Sequence, residues 1–75
     1  MNELELGHIL KEMYHKAPEG YKAANIHLFG VKYASIILAN HLSVNGIISA
    51  AGLSASYKTE LSKGIKLSEY VVPKS

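Results

Sequence analysis

The chain has no cysteine, no tryptophan, no arginine and no aspartate. Without cysteine there is neither a disulfide framework nor a thiolate zinc site. Without aspartate, no Ser-His-Asp arrangement can orient a histidine for nucleophilic catalysis. Arginine makes the commonest bidentate contact to guanine, so its absence weighs against tight readout of DNA bases. Aromatics are few, five Tyr and one Phe. Long apolar runs are missing too. The longest, Ile36 to Ala39, is far too short to span a membrane. Met1 to Glu5 has no basic region and no apolar core of signal-peptide length. A soluble, cytoplasmic protein with no membrane partner is the expectation.

What is present is a folding chain of 75 residues, 48% apolar and 19% charged. That balance predicts one globular domain over residues 1–75. A domain this small buries only about 60% of its unfolded surface, so its stability is marginal. Chains of this size usually need a staple, and the one left is association with a second copy. The net charge of +2 permits a nucleic-acid partner without demanding one.

Helical spacing dominates. Leu6, Ile9, Leu10 and Met13 share one face of a helix over 3–16, with Asn2 as its cap and Pro18 beyond its end. Gly7 reads as a mild cost inside it. A longer helix over 21–40 is apolar nearly all round, save a wedge near Asn25, Lys32 and Ser35. Such a helix is buried on several sides, either as the centre of the fold or against another copy. Within it, Gly30 permits a close helix crossing or is simply a weak spot. Ser43 caps a short third helix over 44–51. Ser54 caps a fourth over 55–63, ending at Gly64. Tyr70-Val71-Val72 is β-prone and stopped by Pro73. All-α with four helices is the predicted fold.

Leu42 to Gly64 holds two short helices joined by Ala51-Gly52-Leu53-Ser54. Glycine suits the left-handed corner, Leu53 tucks beneath it, and Ser54 starts the second helix. Leu42, Ser43, Ile47, Ala51, Gly52, Leu53, Ser54, Ser56, Tyr57, Leu61 and Gly64 match in identity or type the pattern of another group of proteins. On these residues the segment resembles the phage repressor and Cro-like (Xre) helix-turn-helix family. The resemblance covers 23 of 75 residues. The run Phe29 to Ala34, followed by Ser56 to Gly64, is also similar to small bacterial proteins described only as HTH-like.

Three positions depart from the repressor pattern. Ile48 replaces a small alanine and would push the helices apart. Val44 replaces a phosphate-holding glutamine. Lys58 replaces a buried apolar residue. Either the last helix is rolled so that Tyr57 and Leu61 form the buried pair, or the likeness is confined to the turn.

The resemblance implies a homodimeric transcriptional regulator of a bacterial or phage gene, bound to double-stranded DNA. The helix starting at Ser54 would enter the major groove. Ala55, Ser56, Thr59 and Glu60 would face the bases, with Lys58, Lys63 and Lys66 on the backbone. The residues 21–40 would supply the dimer contact, with Tyr70-Val71-Val72 pairing across it. A second reading keeps the helix-turn-helix shape as a protein-interaction or assembly module, which accounts for Lys58, Glu60 and the missing arginine. The two part on whether the lysines surround an exposed helix start or that start is buried or ringed by glutamate.

Other chemistry finds little support. Glu5, His8, Glu12 and His15 have metal-ligand spacing, yet lie opposite the apolar face and read as solvated surface. His27 reads as a satisfied core histidine. No serine has a placed carboxylate–His pair to activate it. Glycines are scattered singly, so no loop cradles phosphate. Little room remains for a pocket of several hundred Å3. Neither enzyme activity, nor a cofactor, nor a small-molecule substrate is expected.

Overall fold

The structure, a computed structural model, describes residues 1–72. Four α-helices follow one another: α1 (Glu3–Lys16), α2 (Lys22–Ala39), α3 (Val44–Ala50) and α4 (Lys58–Leu67). A single 3-10 turn, Ala55–Tyr57, feeds α4. The fold is all-α with four helices, as the apolar periodicity predicts.

Asn2 and Glu5 close α1 reciprocally. The Glu5 amide donates to Asn2 Oδ1 at 2.9 Å, and the Asn2 amide donates to Glu5 Oε1 at 3.1 Å. Two orphan donors of the first turn are thereby satisfied. Leu6 and Leu10 of α1 are fully buried. They meet Ile26, Phe29 and Ile37 of α2, Ile47 and Ile48 of α3, Ala51, and Leu61 of α4 in one cluster. Each fully buried Leu, Ile or Phe contributes about 1.5–3 kcal/mol of transfer free energy.

Two helix pairs organise this core, and glycine lets each approach closely. Gly7 of α1 lies against α3. A Cβ there would sit 2.5 Å from Ala50 Cβ and 3.0 Å from the Ala51 amide nitrogen. Gly30 of α2 lies against α4, where a Cβ would sit 2.8 Å from the Leu61 carbonyl oxygen. Gly64 answers it from α4, facing the backbone of His27. Close crossing therefore accounts for both Gly7 and Gly30.

Gly64 does not end α4, contrary to its expected role. The helix continues to Leu67, because Gly64 supplies room for α2 rather than a left-handed corner. Ser68 closes the end, its hydroxyl donating to the Ile65 carbonyl at 2.6 Å.

The expected polar wedge of α2 is only partly solvent. Lys32 and Ser35 are exposed. Asn25 is half-buried and donates from Nδ2 to the Met13 carbonyl at 2.9 Å, tying α2 to the end of α1. Lys22 adds a second tie, from Nζ to the Tyr14 carbonyl at 3.1 Å. Tyr70 follows α4 in a turn, its amide donating to Leu67 at 2.9 Å, so this β-prone stretch forms no strand. Pro73, expected to stop it, lies outside the described residues. Among the described residues, no helix is long and apolar enough to cross a membrane.

Candidate nucleic-acid interface

The site is built from a corner outward. Ser43 starts α3, its hydroxyl accepting from the Gly46 amide at 3.0 Å. After Ala50 the chain turns through Ala51, which is buried, and Gly52, whose φ of 70° is left-handed. That conformation costs a residue with a Cβ free energy that glycine does not lose. The Leu53 amide donates to the Ile48 carbonyl at 3.2 Å, and its side chain packs on the core. Ser54 Oγ accepts from the Ser56 amide at 3.3 Å. Helix, glycine corner, tucked leucine and serine cap thus occur in the expected order. The second helix opens as a 3-10 turn before becoming α at Lys58.

Tyr57 and Leu61, not Lys58, are the residues of this segment turned toward the core. Lys58 is exposed and Leu61 fully buried. Tyr57 is half-buried against the cluster, and its hydroxyl shares a 3.0 Å hydrogen bond with that of Tyr14. This bond, then the Tyr14 charge and burial, push the Tyr57 phenol above its ordinary value; Lys22 opposes them. The start of the helix is thus anchored to α1. Ile48 is also buried in the core.

Seven of the eight expected contact residues fall into three groups. Ser54, Ala55 and Ser56 are exposed at the helix start. Thr59, Lys63 and Lys66 are exposed and spaced by four and three, so they share one face of α4. Lys58 lies to one side, lining a shallow depression with Asn45 and Ser49 of α3 and with Ala55. Glu60 turns toward α2. Its Oε1 meets His27 Nε2 of α2 at 2.6 Å, while Oε2 is 4.0 Å from Lys63 Nζ. His27 is therefore satisfied, at the edge of the core rather than within it.

Sequence reasoning missed Asn45 and Ser49, polar residues four apart on the exposed side of α3. It also missed the charge segregation that surrounds the site. Glu60 is the only acidic residue between Gly20 and Ser68. On α1, Glu5, His8, Glu12 and His15 are exposed, and Glu12 pairs with Lys16 at 3.6 Å. Among the described residues no group of three His, Cys, Asp or Glu is arranged to hold a metal ion.

The family described as HTH-like domain matches the chain over residues 2–74. No curated protein and no solved structure matches the chain.

Proposed function

Because the chain belongs to the HTH-like domain family, we propose that it binds double-stranded DNA as a homodimer in transcriptional control. The helical segment that starts at Ser54 enters the major groove. Ser54, Ala55, Ser56 and Thr59 meet base edges or phosphates there. Lys58, Lys63 and Lys66 hold the backbone, each neutralising phosphate and releasing counterions.

One observation carries this reading. The start of the segment is open to solvent, and its nearest acid, Glu60, is engaged by His27 rather than aimed outward. The exposed charges from Ala55 to Lys66 are then all lysine.

A dimer is supported by the outward face of α2 and its cap. Tyr21, Ala24, Leu28, Val31, Ser35 and Leu38 alternate in spacing by three and four, the repeat of a coiled-coil seam. Tyr21, Leu28 and Leu38 are 60%, 40% and 61% exposed. The largest dimension of the protein is 32 Å. Two copies side by side can thus present their helices about 34 Å apart, one turn of DNA. The same stripe favours a second reading, a protein-interaction or assembly module that retains the helix-turn-helix shape without DNA.

Fluorescence polarisation against random duplex DNA at two salt concentrations separates the readings. We expect binding below ~100 μM at ~50 mM salt, weakening at ~200 mM, since non-specific binders reach about 10⁻⁴–10⁻⁶ M. Lys63→Ala and Lys66→Ala should each lower the salt slope by about 1. No binding at ~50 mM salt overturns the DNA reading. A monomer mass by light scattering at ~100 μM contradicts the dimer.

A further inference from the structure

Glu60 poses a problem for any approach to DNA. It sits in the first turn of α4, next to Thr59 and about one turn before Lys63. Duplex DNA carries about one charge per 1.7 Å of axis, so a bare carboxylate on this face is repelled. It would also draw Lys63, its 4.0 Å neighbour, away from phosphate.

His27 answers both difficulties. Its Nε2 lies 2.6 Å from Glu60 Oε1, a close hydrogen-bonded contact. The surroundings of His27 are otherwise free of acid. From α4 and the turn after it, Lys63, Lys66 and Tyr70 border the same depression, together with Leu67. On α2 itself, the residues three and four away are Ala23, Ala24, Gly30 and Val31, none charged. No titratable residue of α1 or α3 lines that depression. Its place is also rigid, because Gly64 packs on the His27 backbone.

We propose that His27 is a positioning residue that holds Glu60 off the DNA-facing surface, and that DNA binding takes up a proton at this pair. This rests on the DNA-binding reading above. With the imidazole protonated, the pair is neutral and Lys63 is free for phosphate. With the imidazole neutral, the pair carries one negative charge and competes for Lys63. Affinity is therefore highest in acid and falls as pH rises. By reciprocity, bound DNA favours the protonated imidazole. A single linked proton changes affinity by at most about tenfold per pH unit.

The test is polarisation of a random duplex at ~50 mM salt, at pH ~5.5 and pH ~8, with wild type, His27→Gln and Glu60→Gln. His8, His15 and His41 also gain charge on acidification, and both variants retain that common background. We expect the wild-type affinity to fall about fivefold more than that of His27→Gln between the two pH values. Glu60→Gln should bind about fivefold tighter than wild type at pH ~8 and tighter also at pH ~5.5, because removing the carboxylate adds one positive charge to the pair in either state of the imidazole. Circular dichroism checks folding; if His27→Gln does not fold, His27→Asn takes its place. A folded His27→Gln with the full wild-type pH dependence overturns the proposal, as does Glu60→Gln with no gain at pH ~8. Absence of duplex binding by wild type at both pH values overturns the DNA reading and this proposal together.

Discussion

The two helix crossings use glycine against different neighbours. Where α1 meets α3, the nearest atom to a Cβ on Gly7 is a side-chain carbon, Ala50 Cβ. Where α2 meets α4, the atoms facing Gly30 and Gly64 are backbone atoms of the opposing helix. A side chain can be trimmed by a second substitution, whereas a peptide group cannot. The α2–α4 crossing is thus the less adjustable of the two. It also holds His27 against Glu60 and sets the direction of the exposed face bearing Thr59, Lys63 and Lys66.

Methyl groups added at the crossings test that difference. Gly64→Ala and Gly30→Ala should have the largest effect. Alanine favours a helix by about 1 kcal/mol over glycine, but the backbone clash forces the helices apart. A net loss of about 3 kcal/mol or more is expected, from a total of only about 0.05–0.15 kcal/mol per residue. Urea melts with equal slopes would measure it, and no second-site side-chain truncation should restore it.

Gly7→Ala should cost less, about 1–3 kcal/mol. Adding Ala50→Gly should recover part of that loss. Ala50→Gly alone is expected to destabilise the helix by about 1 kcal/mol. The sign of Ala50→Gly therefore reverses between the two backgrounds, a coupling that a double-mutant cycle reads directly. If the cycle is additive, or if Gly64→Ala is as mild as Gly7→Ala, the two crossings do not differ in this way.

The smallest effect lies at the start of the α1–α3 pair. Glu3 Oε2 accepts from the Ser43 amide at 2.9 Å, joining the first turn of α1 to the cap of α3. That bond, then one from the Glu3 amide, holds the Glu3 carboxyl below its ordinary value of 4.5, against burial. A carboxyl with a lowered folded value stabilises the protein fully above its unfolded value. That contribution is lost as pH falls through the folded value. Glu3→Gln should leave stability at pH 7 slightly reduced, by less than any of the glycine variants, and shift the acid-unfolding midpoint slightly upward. Unchanged acid unfolding would remove Glu3 as a tie between the helices.

Much of this architecture was legible from local rules. The Asn2 cap, the apolar face of α1 and the Pro18 boundary are short-range signals, and α1 spans the expected residues 3–16. The corner at Gly52 was legible for the same reason, because left-handed backbone and a following cap involve only neighbours in sequence. Gly64 was misread on equal local evidence. Glycine near the end of a helical stretch signals a stop, yet here its missing side chain is spent on a neighbour 37 residues earlier in the chain, His27. The departure at Lys58 allows two arrangements by sequence, and the contact of Tyr57 with Tyr14, 43 residues earlier, is not a local signal. Asn25 belongs to the polar wedge by sequence, but its bond to Met13 crosses between helices and is beyond local rules.

Composition and periodicity alone dictate four helices, a helix-turn-helix corner and a shortage of tools for catalysis or base readout. Those properties depend on residue type and spacing within a few turns of chain. Packing alone decides which glycines are corners and which are contacts. It also decides that Glu60 faces His27, 33 residues away, instead of solvent. A charge on a helix can leave either side of its backbone, and only the neighbouring helix determines which side offers a partner.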